Sequence, residues 1–213
     1  MKTARNLAKT AAIVSAVVVS TGAMAAEWED VEFYPFEEAT FTYSVEGMQS
    51  GSQVQVIRDH GRETASFMDT QMSMMGMNQK MKTGSWTTRD WVYTYDYTTN
   101  TGTKIANPIK EMMANTDDPK EAYMQFMAGF GGQQVGTDTH NGTPCTVWEI
   151  AQAGTKACIS DDLVMQYTRM NLMGMTQTIE LVEQDIGPVA DDQFVMPDVP
   201  YNEVQMPTGM PGM

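Results

Sequence analysis

The sequence predicts an α+β, mainly β fold: a curved antiparallel sheet, an unclosed half-barrel, covered by a short helix pair. Three observations predict it. Apolar and polar residues alternate with period two through much of the chain, as at Phe41, Tyr43 and Val45. Tight-turn signals such as Asp59-His60-Gly61 and Asn141-Gly142 recur between those runs. One stretch midway, from Asn107 to Gly132, changes to apolar spacings of three and four. Strands with one helical insertion fit a single sheet whose inner face lies beneath the helices.

The elements follow in order. Residues 1–25 have the form of an export signal: Lys2, Arg5 and Lys9, a short apolar run from Ala11 to Val19, then Ala23-Met24-Ala25 at the cleavage site. The run is too short for a stable membrane span. The expected product starts near Ala26, is soluble and resides in the periplasm. Residues 26–38, acidic and aromatic, read as an N-terminal arm or short helix covering an edge. A single sheet domain is expected over 39–201, and a disordered Met- and Pro-rich tail over 202–213.

Within the domain, Phe41 to Val45 and Gln53 to Ile57 form the first strands. Trp91, Tyr93, Tyr95 and Tyr97 share one face of the clearest strand, turned by Asn100-Thr101-Gly102. Asn107-Pro108 opens a short helix through Met113. Asp117 or Asp118 caps a second, with Pro119 in its first turn and Ala122, Tyr123, Phe126, Met127 and Phe130 on one face. Strands resume at Gln133. Leu163 to Leu172 and Met175 to Gln184 make a long hairpin, and Phe194-Val195-Met196-Pro197 a final short strand.

Loss of the leader leaves 10 of the 13 basic side chains against all 27 acidic ones, about −17. Nucleic acid and anionic lipid surfaces would repel such a chain. Cys145 and Cys158, the only cysteines, read as a disulfide in an exported protein. The hairpin turn expected near Ala153-Gly154 sets them slightly offset on its two arms.

One octapeptide occurs twice. Met72 to Gln79 and Met170 to Gln177 share Met72/Met170, Met75/Met173, Gly76/Gly174, Met77/Met175 and Gln79/Gln177. Each copy is placed at a hairpin bend. Soft thioethers suit Cu(I), and Met206, Met210 and Met213 add sulfur in the tail, but methionine also packs or lines adaptable apolar surfaces. Packing or a soft pocket is preferred, because no histidine lies near either copy. His60 and His140 sit in turns and are expected to be solvated. No nucleophile elbow, metalloprotease helix or phosphate loop is present, so no catalytic residue, cofactor or metal site is assigned.

Several stretches, in their order, resemble the periplasmic lipoprotein-carrier (LolA- and LolB-like) superfamily. They are Trp91 to Gly102; Gly136 to Glu149 with Asn141-Gly142-Thr143-Pro144-Cys145; Asp161-Asp162-Leu163; and Gly187-Pro188 through Phe194 to Pro197. The resemblance implies an unclosed barrel with a hydrophobic concavity under helices, where such carriers hold acyl chains. The methionine load departs from that pattern.

The reading that results is a binding protein, not an enzyme, holding an acyl-like or other hydrophobic molecule. Trp91, Tyr93, Tyr95, Met75, Met77, Met173, Met175 and Phe126 are the expected contacts. The alternatives are a Cu(I)-binding envelope protein and an envelope scaffold using its acidic face.

Overall fold

The computed structural model describes residues 28–205, except 75, 76, 114, 115, 117 and 173. Its strands are β1 (Ala39–Glu46), β2 (Gln49–Arg58), β3 (Glu63–Met74), β4 (Met77–Thr87), β5 (Trp91–Asp96), β6 (Thr101–Ala106), β7 (Gln133–His140), β8 (Thr143–Ile150), β9 (Thr155–Ser160), β10 (Met165–Leu172), β11 (Met175–Ile186) and β12 (Tyr201–Glu203). Helices α1 (Pro108–Met113) and α2 (Pro119–Gly129) join β6 to β7. All described strands form one open sheet in the order β12-β6-β5-β4-β3-β2-β1-β11-β10-β9-β8-β7. The fold class is as expected from the sequence.

Local chemistry explains the joints. Asn141 and Gly142 both take positive φ, as a two-residue hairpin between His140 and Thr143 requires. Asp118 caps α2 by accepting from the Lys120 amide, and Pro119 starts the helix. Gly51 takes φ +153°, and a Cβ there would sit 2.1 Å from the Asp69 carbonyl oxygen. Only glycine lets β2 close on β3 at that point.

The two faces of the sheet are covered separately. Ala39, Phe41, Tyr43 and Ile57 form the concave floor with Val164 and Leu181. Above it, Val31 of the N-terminal arm packs with Met113 and Ala122 of the helices, and with Phe33. The convex side carries Ala65, Phe67, Trp86, Tyr93 and Tyr95, overlaid by Phe194, Met196, Val199 and Tyr201. Across the sheet, Cys145 and Cys158 form the disulfide, with Tyr167 and Val147 against it. Cys145 pairs with Ser160 and Cys158 with Val147, so the bridge runs diagonally between β8 and β9, and offset and cross-link coexist.

Three expectations change. The final strand is not Phe194–Pro197: Asp191–Phe194 is a 3-10 turn, because the prolines at 188, 197 and 200 remove ladder donors. The terminal strand is Tyr201–Glu203, parallel to β6, so it takes in Asn202 and Glu203, which the sequence places in the tail. β6 itself, with Gly102, Lys104 and Ala106, lacked a strand signal in sequence. The arm covers no edge. Its Phe33 and Tyr34 amides donate to the His60 carbonyl in the β2–β3 turn, which holds it over the concave side. Residues 1–27 and 206–213, with the leader and most of the tail, lie outside the described residues.

Candidate ligand-binding site

A cavity of about 300 Å³ lies between floor and roof. Gln55, Thr64 and Thr87 come from neighbouring strands β2, β3 and β4, where the register places them on one face. The arm contributes Trp28, Phe33 and Tyr34; α1 contributes Ile109; α2 contributes Pro119, Ala122, Tyr123 and Phe126. Leu163 closes the side. It takes φ +60°, a conformation a leucine holds only against a cost of order 1 kcal/mol or more. Bonds from the Leu163 amide to the Ser160 carbonyl and from the Val164 amide to Ser160 Oγ keep it there. A second compartment of about 240 Å³, lined by Gln134, Thr146, Trp148, Ile159 and Met124, shares Tyr123 and Leu163 as its wall.

The electrostatics favour an uncharged occupant. No acidic or basic side chain lines the larger cavity. Burial pushes the Tyr123 phenol up to about 12, and the nearby Tyr34 adds to it. Burial also raises Tyr34, opposed by a hydrogen bond with Gln55, and raises Tyr43. The hydroxyls and the Gln55 amide can therefore hydrogen-bond a carbonyl or hydroxyl, while an ion would lose its hydration without a counter-charge. Glu32, Asp118, Asp161 and Asp162 line an outer hollow that shares Tyr34, Pro119 and Leu163 with the cavity; Lys120 there pairs with Asp161 at 2.8 Å.

Of the residues expected from sequence to touch a ligand, Phe126 lines this cavity. Trp91, Tyr93 and Tyr95 do not. They lie on the convex side, where Tyr93 meets Tyr201 edge-on and Tyr95 is buried. The strand's period was right, but the face that meets the cavity is the other one. Met175 stands at the β10–β11 hairpin, 41% exposed. Met77 opens β4 opposite Met74, and Met75 and Met173 lie outside the described residues. Both methionine copies do occupy hairpin bends, as Met74↔Met77 and Leu172↔Met175 pair. Two strands, β2 and β1, separate the nearest strands of the two copies, β3 and β11, about 14 Å along the sheet at the usual strand spacing. The ladder therefore does not bring the two copies together.

The histidines are engaged, not merely solvated. His60 Nδ1 lies 3.2 Å from the Tyr34 carbonyl, and His140 Nε2 lies 3.2 Å from that of Leu181. Among the described residues no cluster of histidine, cysteine or carboxylate fits a metal. The cavity residues that the sequence concealed are Trp28, Phe33 and Tyr34 of the arm, and Gln55, Thr64, Thr87 and Leu163. Aromatic density in the acidic arm was the available signal for the first group. The threonines look like those of any strand.

No protein-family model and no curated protein matches this chain. Among solved structures, an uncharacterized conserved protein from Thermus thermophilus is 11% identical, with 78% of this chain and 90% of that one covered and a TM-score of 0.43. LprF from Mycobacterium bovis is 10% identical, with 76% and 89% covered and a TM-score of 0.35. An outer membrane lipoprotein-sorting protein domain from Vibrio parahaemolyticus is 6% identical, with 74% and 89% covered and a TM-score of 0.26. These are partial likenesses of chain path, and they say nothing of what this chain binds.

Proposed function

We propose that this is an exported binding protein, not an enzyme, which takes an uncharged hydrophobic chain, acyl-like in character, into the cavity beneath α2. One observation carries the reading: floor and roof are separate apolar clusters with an ion-free space between them, instead of one packed core. Its volume falls at the lower end of the range for small-molecule pockets, about 300–1,000 Å³. Tyr34, Tyr123 and Gln55 would orient a carbonyl or hydroxyl where the chain joins its head group. The Cys145–Cys158 disulfide supports an oxidising compartment, consistent with the leader-like residues 1–25. No described helix is long and apolar enough to cross a membrane.

Native mass spectrometry of protein purified from the envelope, with displacement of a fluorescent acyl probe by fatty acids or their neutral esters, tests this. A bound hydrophobic mass and competitive displacement are expected. Thr64→Phe, which puts a ring into the cavity from β3, should weaken probe binding more than tenfold and change stability by less than about 1.5 kcal/mol. A ligand-free mass with no displacement, or undiminished binding by Thr64→Phe, sinks the proposal.

A further inference from the structure

Three hollows meet at one side chain. Leu163 lines the larger cavity, the second compartment and the outer hollow, and no other described residue lines all three. The larger cavity lies over β2, β3 and β4, through Gln55, Thr64 and Thr87. The second compartment lies over β7, β8 and β9, through Gln134, Thr146, Trp148 and Ile159. Between them run β1, β11 and β10, which carry the packed floor of Phe41, Tyr43 and Leu181. Helix α2 overlies both: Phe126 lines the first, Met124 the second, and Tyr123 the two together. The concave side is therefore a trough with two lobes. The outer hollow adjoins both, sharing Tyr34 with one and Lys120 and Asp161 with the other.

The backbone at this junction is locked. Leu163 follows the exposed pair Asp161 and Asp162 and holds φ +60°. Behind it the buried Ser160 makes three bonds. Its amide donates to the Val164 carbonyl at 2.9 Å, its carbonyl accepts from the Leu163 amide at 3.1 Å, and its Oγ accepts from the Val164 amide at 3.2 Å. The buried Gln166 side chain adds a bond to the Val164 carbonyl. In front, Lys120 Nζ ties Asp161 to α2 at 2.8 Å. Glycine or asparagine takes this conformation readily. A leucine keeps its bulk here against the backbone's preference, which points to a use for that bulk.

We infer that Leu163 is a specificity-determining residue: it partitions the trough, so that the protein takes a neutral ester with one acyl chain and refuses one with two. The inference rests on the acyl-binding reading of the larger cavity. A ligand with its head in the outer hollow sends one chain past Tyr34 into that cavity. A second chain leaving the same head must cross Leu163 to reach the other lobe. Trp148, Ile159 and Met124 give that lobe an apolar side which could receive it. The partition, not the lack of a second space, is what excludes it. Four carboxylates against one lysine at the outer hollow repel an anionic head, so the choice is made among neutral molecules.

Displacement of a fluorescent acyl probe by mono-octanoylglycerol and by dioctanoylglycerol tests this, with urea unfolding to confirm that each variant is folded. The unaltered protein should bind the monoester about tenfold or more tighter than the diester. Leu163→Gly should strengthen diester binding by about tenfold or more, because each newly buried methylene is worth about fourfold. Monoester binding should stay within about threefold, since its own lobe is untouched. Leu163→Ala removes the bulk without freeing the backbone and should act in the same direction. Adding Thr146→Phe to Leu163→Gly fills the second lobe from β8 and should abolish the gain. No displacement by the monoester from folded, unaltered protein overturns the cavity reading and this inference with it. With the monoester bound, three results overturn this inference alone. They are equal binding of the diester by the unaltered protein, no gain in the folded glycine and alanine variants, and a gain that survives Thr146→Phe.

Discussion

On the convex side of the sheet, Phe194, Met196, Val199 and Tyr201 lie directly on Phe67, Trp86, Tyr93 and Tyr95. On the concave side, the arm and helices leave about 300 Å³ between themselves and a floor no less apolar. The convex cover fits because glycines make room for rings. A Cβ on Gly84 would lie 2.6 Å from the Trp86 ring, and one on Gly102 would lie 2.8 Å from that of Tyr201. Trp86 Nε1–H also donates to the Gln193 carbonyl at 3.0 Å, fastening cover to sheet. On the concave side only part of the cover touches the floor: Tyr34 and Phe36 of the arm pack on Phe41, while Tyr123 and Phe126 come from α2, which barely approaches the strands. Aromatic content is therefore a poor guide to binding. What separates the two faces is how much of the cover reaches the sheet: all of it on the convex side, the arm but not α2 on the concave side.

The largest break in that comparison is Trp86→Ala. Trp86 is 2% exposed, packs edge-on with Phe67, and holds Gln193. Its loss should cost about 3–5 kcal/mol in urea unfolding. Acyl-probe affinity per folded molecule should stay within about twofold, because the concave cavity is separate. A loss of stability below about 1 kcal/mol, or a collapse of probe affinity, would show that the two faces do not act independently.

Much of this architecture was legible in sequence. The strand faces in β1, the Asn141-Gly142 hairpin, the Asp118-Pro119 start of α2 and the two methionine bends each have a local cause within a few residues. The side on which β5 turns its rings was not legible. Alternation defines two faces and cannot say which is concave; that depends on the segment that covers each, and residues 188–200 are more than ninety positions away from β5. Proline at 188, 197 and 200 disguised that cover as loop. The cavity was hidden for the same reason, since Trp28, Gln55, Thr87 and Tyr123 meet only through tertiary packing.

Alkaline pH loads the concave side. The Tyr123 phenol is raised to about 12 by burial. Below pH 10 both folded and unfolded chains keep its proton. Between pH 10 and about 12 the unfolded chain ionises first, so folding stability falls through that window. The full effect is roughly 2 kcal/mol by pH 12. Tyr123→Phe should flatten the fall between pH 9 and 11.5 without abolishing it, because Tyr34 and Tyr43 are raised as well. An unchanged slope in unfolding free energy would place Tyr123 in contact with water, and the roof with it.

The smallest effect sharpens how the convex cover is held. Arg58 on β2 pairs with Glu63 and with Asp191 at 2.9 Å, and its guanidinium lies 4.2 Å from the centre of the Phe194 ring. Asp191 is almost fully exposed, so that ion pair contributes little. The stacking on Phe194 is worth about 0.5–1 kcal/mol. Arg58→Ala should therefore lower global stability by about 1 kcal/mol. It should also speed limited proteolysis within residues 187–200 about fivefold, through local opening of the cover. Arg58→Lys keeps the charge but lacks the planar stack, and should fall between the two. Probe binding in the cavity should not change. If the cleavage rate is the same in all three proteins, the cover is held by the Trp86–Gln193 bond and ring packing alone, and Arg58 serves only the β2–β3 edge through Glu63.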